Sequence, residues 1–224
     1  MNRLALFDCD GTLVDSGATI VAAVGETFAL HGLAIPAPRQ CRRVIGLSLI
    51  EAMTELVPDA GVGVHEQLAE TYKACFFRAR AEGRVEEPLF DGILPLLDRL
   101  EADGWILGVA TGKSDRGLKH CLDAHGIHAR FISLQTADRH PSKPHPSMAL
   151  QAIAEAGAAP ETTIVIGDTA FDMGMARAAG ATGIGAAWGY HEPHELLASG
   201  AVAVAETPLD IVDLIVAMRE DAHG

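Results

Sequence analysis

The sequence predicts an α/β fold: a doubly wound parallel sheet interrupted once by a wholly helical segment. Three observations lead there. Short apolar runs of the kind that form buried parallel strands occur at 4–7, 105–110, 131–134, 163–166, 182–186 and 201–205. From residue 91 onward these runs alternate with helix-like segments, which is the pattern of βαβ units. Between residues 15 and about 84 the alternation stops and only helical patterns remain.

The first strand, 4–7, is apolar throughout and ends abruptly on acidic residues. The helices 18–30, 39–44, 48–56 and 65–82 follow. Gly17 stands at the entry to this stretch, and Gly83 and Pro88 at its exit, as hinges. The expected division is a core of residues 1–14 and 85–224 with a helical insertion of 15–84. An ordinary covering layer of the same domain is the alternative. Within the core, the helix at 92–102 places Ile93, Leu96, Leu97 and Leu100 on one face. The helix at 114–125 opens on a Ser cap and stops at Gly126, and the helix at 146–156 opens on Pro146. Helices at 169–179 and 209–218 complete the alternation.

Composition narrows the function. Of 224 residues, 49% are hydrophobic and 21% charged, enough for a sizeable core and unlike a disordered chain. The net charge of −13 makes a poor general binder of nucleic acid or of an anionic membrane. An anionic substrate would need positive charge gathered locally. Cys9, Cys41, Cys75 and Cys121 form no CxxC pair, which reads as reduced thiols. No apolar run approaches the ~20 residues of a membrane helix. A soluble, cytoplasmic protein, monomeric or homodimeric, is expected.

The chemistry begins at Asp8-Cys9-Asp10-Gly11-Thr12. Residues i and i+2 at a strand end point the same way, so both carboxylates can aim at one place. Ligands of open α/β sheets gather beyond the strand C-termini, where these residues lie. Two adjacent carboxylates repel and need a cation, a shared proton or hydrogen bonds.

Extended to Leu13-Val14-Asp15, this segment resembles the first motif of the haloacid dehalogenase superfamily of phosphatases. Thr111, after its apolar strand, resembles the second motif. Lys143 in Ser142-Lys143-Pro144-His145-Pro146 resembles the third, and Gly167-Asp168-Thr169-Ala170-Phe171-Asp172 the fourth. All but the helical insertion is covered, and the four motifs fall in order at strand ends. The resemblance implies a Rossmann-type core and a Mg²⁺-dependent phosphatase acting on a small phosphorylated metabolite.

Residue chemistry fits those roles. Asp8, ionised at neutral pH, needs no base to act as nucleophile. Mg²⁺ favours oxygen ligands, which Asp8, Asp168 and Asp172 can supply; the resemblance adds the backbone carbonyl of Asp10. Lys143 would neutralise phosphate oxygens, and Thr111 would donate its hydroxyl to the phosphoryl group. Asp10 would protonate the leaving alkoxide and then take a proton from attacking water. Its presence argues against a metal-independent dehalogenase.

The insertion resembles the helical cap of the family, a lid that excludes water and contacts the leaving group. Arg43 and the Gly46-Leu47-Ser48 turn are the candidate specificity elements. Arg42 and Arg43 cannot both face one way on a helix. Thr111-Gly112-Lys113, with Gly112 at the phosphate, is most similar to phosphoglycolate phosphatases and related small-ester enzymes. A phosphomutase, a pyrophosphatase or a phosphate sensor without turnover are the alternatives. Three motifs are set aside. Gly112-Lys113-Ser114 lacks a P-loop glycine at 107, which is Leu. Gly183-Ile184-Gly185 is followed by Trp188 where a dinucleotide fingerprint needs Gly. His191-Glu192-Pro193-His194 reads as a solvated loop. His145, close to Lys143, is a possible substrate contact.

Overall fold

A computed structural model describes residues 2–221. The first strand, β1 (Asn2–Phe7), explains the architecture in miniature. Leu4 and Leu6 pack into one apolar cluster, and Ala5 and Phe7 into the cluster on the opposite face, as a two-residue period requires. All four are fully buried. A strand with no polar face belongs at the centre of a sheet covered on both sides.

Four helices follow: α1 (Gly17–Leu30), α2 (Pro38–Arg43), α3 (Leu49–Leu56) and α4 (Val62–Ala81). They gather round an apolar cluster of their own, which includes Val24, Phe28, Met53 and Leu68. The chain then alternates as α5 (Ile93–Ala102), β2 (Ile106–Thr111), α6 (Asp115–Ala124), β3 (Phe131–Thr136), α7 (Ser147–Ala156) and β4 (Ala158–Gly167). It ends with α8 (Ala170–Ala179), β5 (Thr182–Ala186), α9 (Pro193–Ser199), β6 (Ala201–Ala205) and α10 (Asp210–Asp221). Among the described residues no helix is long and apolar enough to cross a membrane.

The six strands lie in the order β3-β2-β1-β4-β5-β6, every neighbouring pair parallel. The chain winds outward from β1 to β3, then crosses to the other side of β1 for β4. Ligand sites form beyond the strand C-termini at such a reversal. The register brings the relevant ends level. Phe7 lies opposite both Val109 and Ile166, and the Asp8 N–H donates to the Ile166 carbonyl at 2.9 Å. The residues after β1, β2 and β4 therefore emerge at one edge.

Three strands are longer than their apolar runs, β1 by Asn2 and Arg3 at its start. β3 continues through Gln135 to Thr136 because its buried polar side chains are satisfied: Ser133 Oγ and Gln135 Nε2 both donate to Glu155 Oε2, at 2.7 and 2.8 Å. β4 begins at Ala158, well before its apolar half. Helix ends follow capping chemistry. Ser114 Oγ accepts from Gly117 N at 3.1 Å, as the sequence indicates. Pro146 precedes α7 rather than occupying its first turn. The cap of α1 is Ser16, with Asp15 Oδ1 accepting from Gly17 N at 3.3 Å.

Candidate active site

Four chain segments deliver one buried charge cluster at the strand ends. Asp8 follows β1, Lys143 lies in the loop after β3, Asp168 follows β4, and Asp172 sits in the first turn of α8. Carboxylate oxygens of Asp8, Asp168 and Asp172 lie within 4.8 Å of one another. Lys143 Nζ reaches Asp8 Oδ1 at 2.9 Å and Asp172 Oδ1 at 2.6 Å. All four residues are essentially inaccessible to solvent. One ammonium against three carboxylates leaves a formal excess of two negative charges in a dry place, an arrangement that is costly without a further cation.

The titration behaviour follows from that imbalance. Burial pushes Asp8 up to about 7. Lys143 opposes this, while Asp172 and Asp10 add to it. Asp168 is raised well above the ordinary carboxylate range by burial, then by Asp8 and Asp172. Burial pulls Lys143 down, but Asp172 and Asp8 outweigh it and hold the ammonium charged.

Local chain geometry shapes the cluster. Gly11 takes φ 85°, a left-handed turn that glycine adopts without strain. A Cβ there would meet Asp168 Oδ2 at 2.2 Å, and a Cβ on Gly189 would meet the Asp168 side chain at 2.1 Å. Backbone thus encloses Asp168 from two sides. Its oxygens accept from Thr12 Oγ1 at 2.8 Å and Tyr190 N at 2.9 Å. Asp172 closes a capping box with Thr169 at the start of α8, its Oδ2 accepting from Thr169 N and Oγ1 at 3.1 and 2.7 Å. With Oδ1 on Lys143, both Asp172 oxygens are occupied. Asp8 differs: Oδ1 also accepts from Cys9 N at 2.6 Å, while its buried Oδ2 has no hydrogen-bond partner.

Asp10 belongs to a second cluster. Its Oδ1 accepts from Ser16 Oγ and lies 2.8 Å from Lys113 Nζ. Lys113 also holds Glu87 Oε1 at 2.6 Å, and Arg80 NH2 holds Glu87 Oε2 at 2.8 Å. This chain runs from the end of α4 to the strand end without a break. Burial pulls Lys113 down, but Asp10, Cys9 and Glu87 raise it well above its ordinary value, so it stays an ammonium. Thr111 is fully buried at the end of β2, its Oγ1 accepting from Lys113 N at 3.2 Å.

Residues 5–186 match the haloacid dehalogenase-like hydrolase family. The chain belongs to this family. It is 34% identical over 216 residues to a probable phosphatase, IndB, of Dickeya dadantii, covering 95% of this chain and 93% of that one. It is 34% identical over 198 residues to a phosphoglycolate phosphatase of Xylella fastidiosa, covering 86% and 83%. A hydrolase from Pseudomonas syringae superposes with a TM-score of 0.84 at 28% identity, over 96% of this chain and 99% of that one.

In this haloacid dehalogenase-like hydrolase the 46–48 loop of the helical insertion presses closely on the core. Leu47 O lies against Gly112, which a Cβ would bring to 2.3 Å. Ser48 N donates to Ser142 Oγ at 2.8 Å. A cavity of about 980 Å³ between insertion and core is lined by Asp10, Ser48, Gly112 and Lys113 among others.

Three expectations are corrected. Arg43 is absent from that lining, and its guanidinium pairs with Glu195 of α9 at 2.5 Å. His145 is exposed, and its Nδ1 accepts from Ser147 N. In the segment read as a solvated loop, Glu192 and His194 are exposed but His191 is buried, and its Nδ1 accepts from Ala170 N at 3.1 Å. Nε2 therefore carries the proton and donates to the Arg43 carbonyl at 3.2 Å. Burial, then Arg43, lowers its pKa.

Sequence reasoning missed Glu87 and Arg80 altogether and gave Lys113 no role. Only Lys113 had a signal, its place in Thr111-Gly112-Lys113. The four cysteines are free thiols, with the buried Cys9 and Cys121 sulfurs 3.9 Å apart.

Proposed function

We propose that this enzyme, a phosphatase by its family, hydrolyses a small phosphate monoester through a phosphoryl group carried on Asp8, with Mg²⁺ held by Asp8 and Asp168. One observation carries the reading: a buried Asp8 oxygen with no partner, beside a charged lysine and a second buried carboxylate. The donor set fits a hard cation, since every side-chain oxygen comes from a carboxylate. The backbone carbonyl of Asp10 completes it by family resemblance. When bound, the ion neutralises the carboxylates and the phosphoryl oxygens. Asp172, with both oxygens taken, serves chiefly to fix Lys143.

The chain's own residues perform the rest. Asp8 attacks phosphorus with the oxygen that has no hydrogen bond. Lys143 meets the charge that develops on the phosphoryl oxygens, and the Thr111 hydroxyl donates to one of them. Asp10 gives its proton to the departing alkoxide, then takes one from the water that cleaves the acyl phosphate. The insertion, as residues 15–84, serves as a lid over a core of 1–14 and 85–224, its 46–48 loop keeping bulk water out.

Phosphate release from a panel of monoesters, pyrophosphate and phosphoglycolate, with and without Mg²⁺, tests the reading. Asp8→Asn is expected to abolish release while the fold survives, and retained turnover would remove the nucleophile. Interconversion of sugar phosphates without free phosphate would make the enzyme a mutase instead.

A further inference from the structure

Resting on that phosphatase reading, we propose that the natural substrate is the monoester of an alcohol with a bulky, largely apolar body, rather than of a short hydroxy acid.

The cavity is the first ground. Its core wall holds Asp10, Gly112 and Lys113, so it is continuous with the group that must protonate the leaving alkoxide. The insertion's share of the wall is mostly apolar: Ile45, Leu47, Met53, Tyr72, Phe76 and Phe77 all line it. Its volume is about 980 Å³. Glycolate has five heavy atoms and fills no more than about five water volumes, ~150 Å³. A cavity of this size takes a far larger, ring-bearing group.

The lid is already seated, which is the second ground. The carbonyl of Leu47 rests on Gly112, Ser48 N holds Ser142, and Arg43 holds Glu195. The space is therefore what remains with the 43–48 segment docked on the core.

Charge is the third. A hydroxy acid would need a cation to spare beside Asp10. Lys113 is divided between Asp10 and Glu87, and Arg80 is held by Glu87. Lys73 pairs with Glu70 at 2.7 Å, and the Arg116 guanidinium lies over the Phe77 ring at 4.5 Å. The wall carries four cations and four carboxylates. That balance is formally neutral, and the cation beside Asp10 is already shared with Glu87, whereas the apolar surface rewards each buried carbon.

The test is kcat/KM for phosphate release from ethyl, n-butyl and 2-phenylethyl phosphate and from phosphoglycolate, with p-nitrophenyl phosphate as a reference. The three alkyl esters have similar leaving groups, so their differences read the fit of the alcohol. With about tenfold or more for a well-placed methylene, 2-phenylethyl phosphate is expected to exceed ethyl phosphate at least a hundredfold, with phosphoglycolate no better than ethyl. Phe77→Ala and Ile50→Ser, at half-exposed wall positions that tolerate change, should each narrow the ratio several-fold. Equal rates for ethyl and 2-phenylethyl phosphate, or phosphoglycolate ahead of both, would overturn the proposal. So would release from p-nitrophenyl phosphate alone, which leaves the phosphatase reading standing. No release from any of the five would sink both.

Discussion

Gly112→Ala isolates the contact between the insertion and the core. The new methyl would lie 2.3 Å from Leu47 O, 3.0 Å from Leu47 C and 3.1 Å from Gly46 O. Ordinary contact begins near 3.4 Å, so the 46–48 loop must retreat by about 1 Å. The residue itself is not strained, because Gly112 does not have a positive φ. A Gly-to-Ala change at a compatible backbone adds about 0.4–1 kcal/mol through the unfolded chain. Displacing the Leu47 backbone opposes that gain, so stability should stay within about 1 kcal/mol of the parent while the lid fails to seat. A misplacement of ~1 Å in a reacting assembly costs on the order of 100-fold, or about 2.7 kcal/mol. Steady-state kinetics and thermal melting measure the two effects separately. The reasoning fails if kcat/KM is unchanged, and equally if the protein melts many degrees lower.

Three other outcomes follow from the charge clusters. Glu87→Gln removes one of the two carboxylates that fix Lys113 and so loosens the ammonium that positions Asp10. Turnover of an alkyl ester should fall about tenfold, a fraction of the ~10²–10⁴ that general acids contribute. Hydrolysis of p-nitrophenyl phosphate, whose leaving group needs no proton, should change less than about threefold on the same grounds; equal losses would contradict the role. Burial raises Asp8 from 3.8 to about 7, so the folded state retains its proton across that interval. Metal-free stability should then fall as pH rises from about 4 to about 7 and stay low above it. Mg²⁺ at 100 times its Kd restores about 2.7 kcal/mol, a melting shift of roughly 5–10 °C for a chain of this size. The shift should be larger at pH 8 than at pH 5, and equal shifts would refute the linkage. Arg43→Ala removes a partly exposed ion pair with Glu195 rather than a substrate contact. Such pairs contribute about 0–1 kcal/mol, so KM should move less than about fivefold. A rise of a hundredfold would return Arg43 to the binding site.

The parts legible in the sequence were those that one short segment encodes. An apolar run ending in Asp8-Cys9-Asp10-Gly11-Thr12 specifies a buried strand, a tight turn and paired acids together. Asp168 likewise sits at a strand end that a local pattern reveals, and Lys143 in a loop marked by Pro144 and Pro146. Arg43 was read as a substrate contact because its residue type speaks of anions generally, and the anion it meets in the fold is Glu195, distant in sequence. Glu87 was invisible for the opposite reason. It looks like any surface glutamate until folding brings Lys113 and Arg80 against its two oxygens. His191 read as solvated because Pro193 breaks the local pattern, whereas its burial comes from Ala170 and Arg43, both distant in sequence.

Placing the earliest strand in the middle of the sheet has a consequence for biosynthesis. Both neighbours of β1 come from later in the chain, β2 after residue 105 and β4 after residue 157. At ~5–20 residues per second, a ribosome takes roughly 8–30 s to supply the second of them. Through that interval at least one side of an apolar segment waits unpaired, while the residues that build the helical cluster have all been translated by residue 81. Substitutions that slow assembly of α1–α4 should therefore lower the yield of the sheet as well.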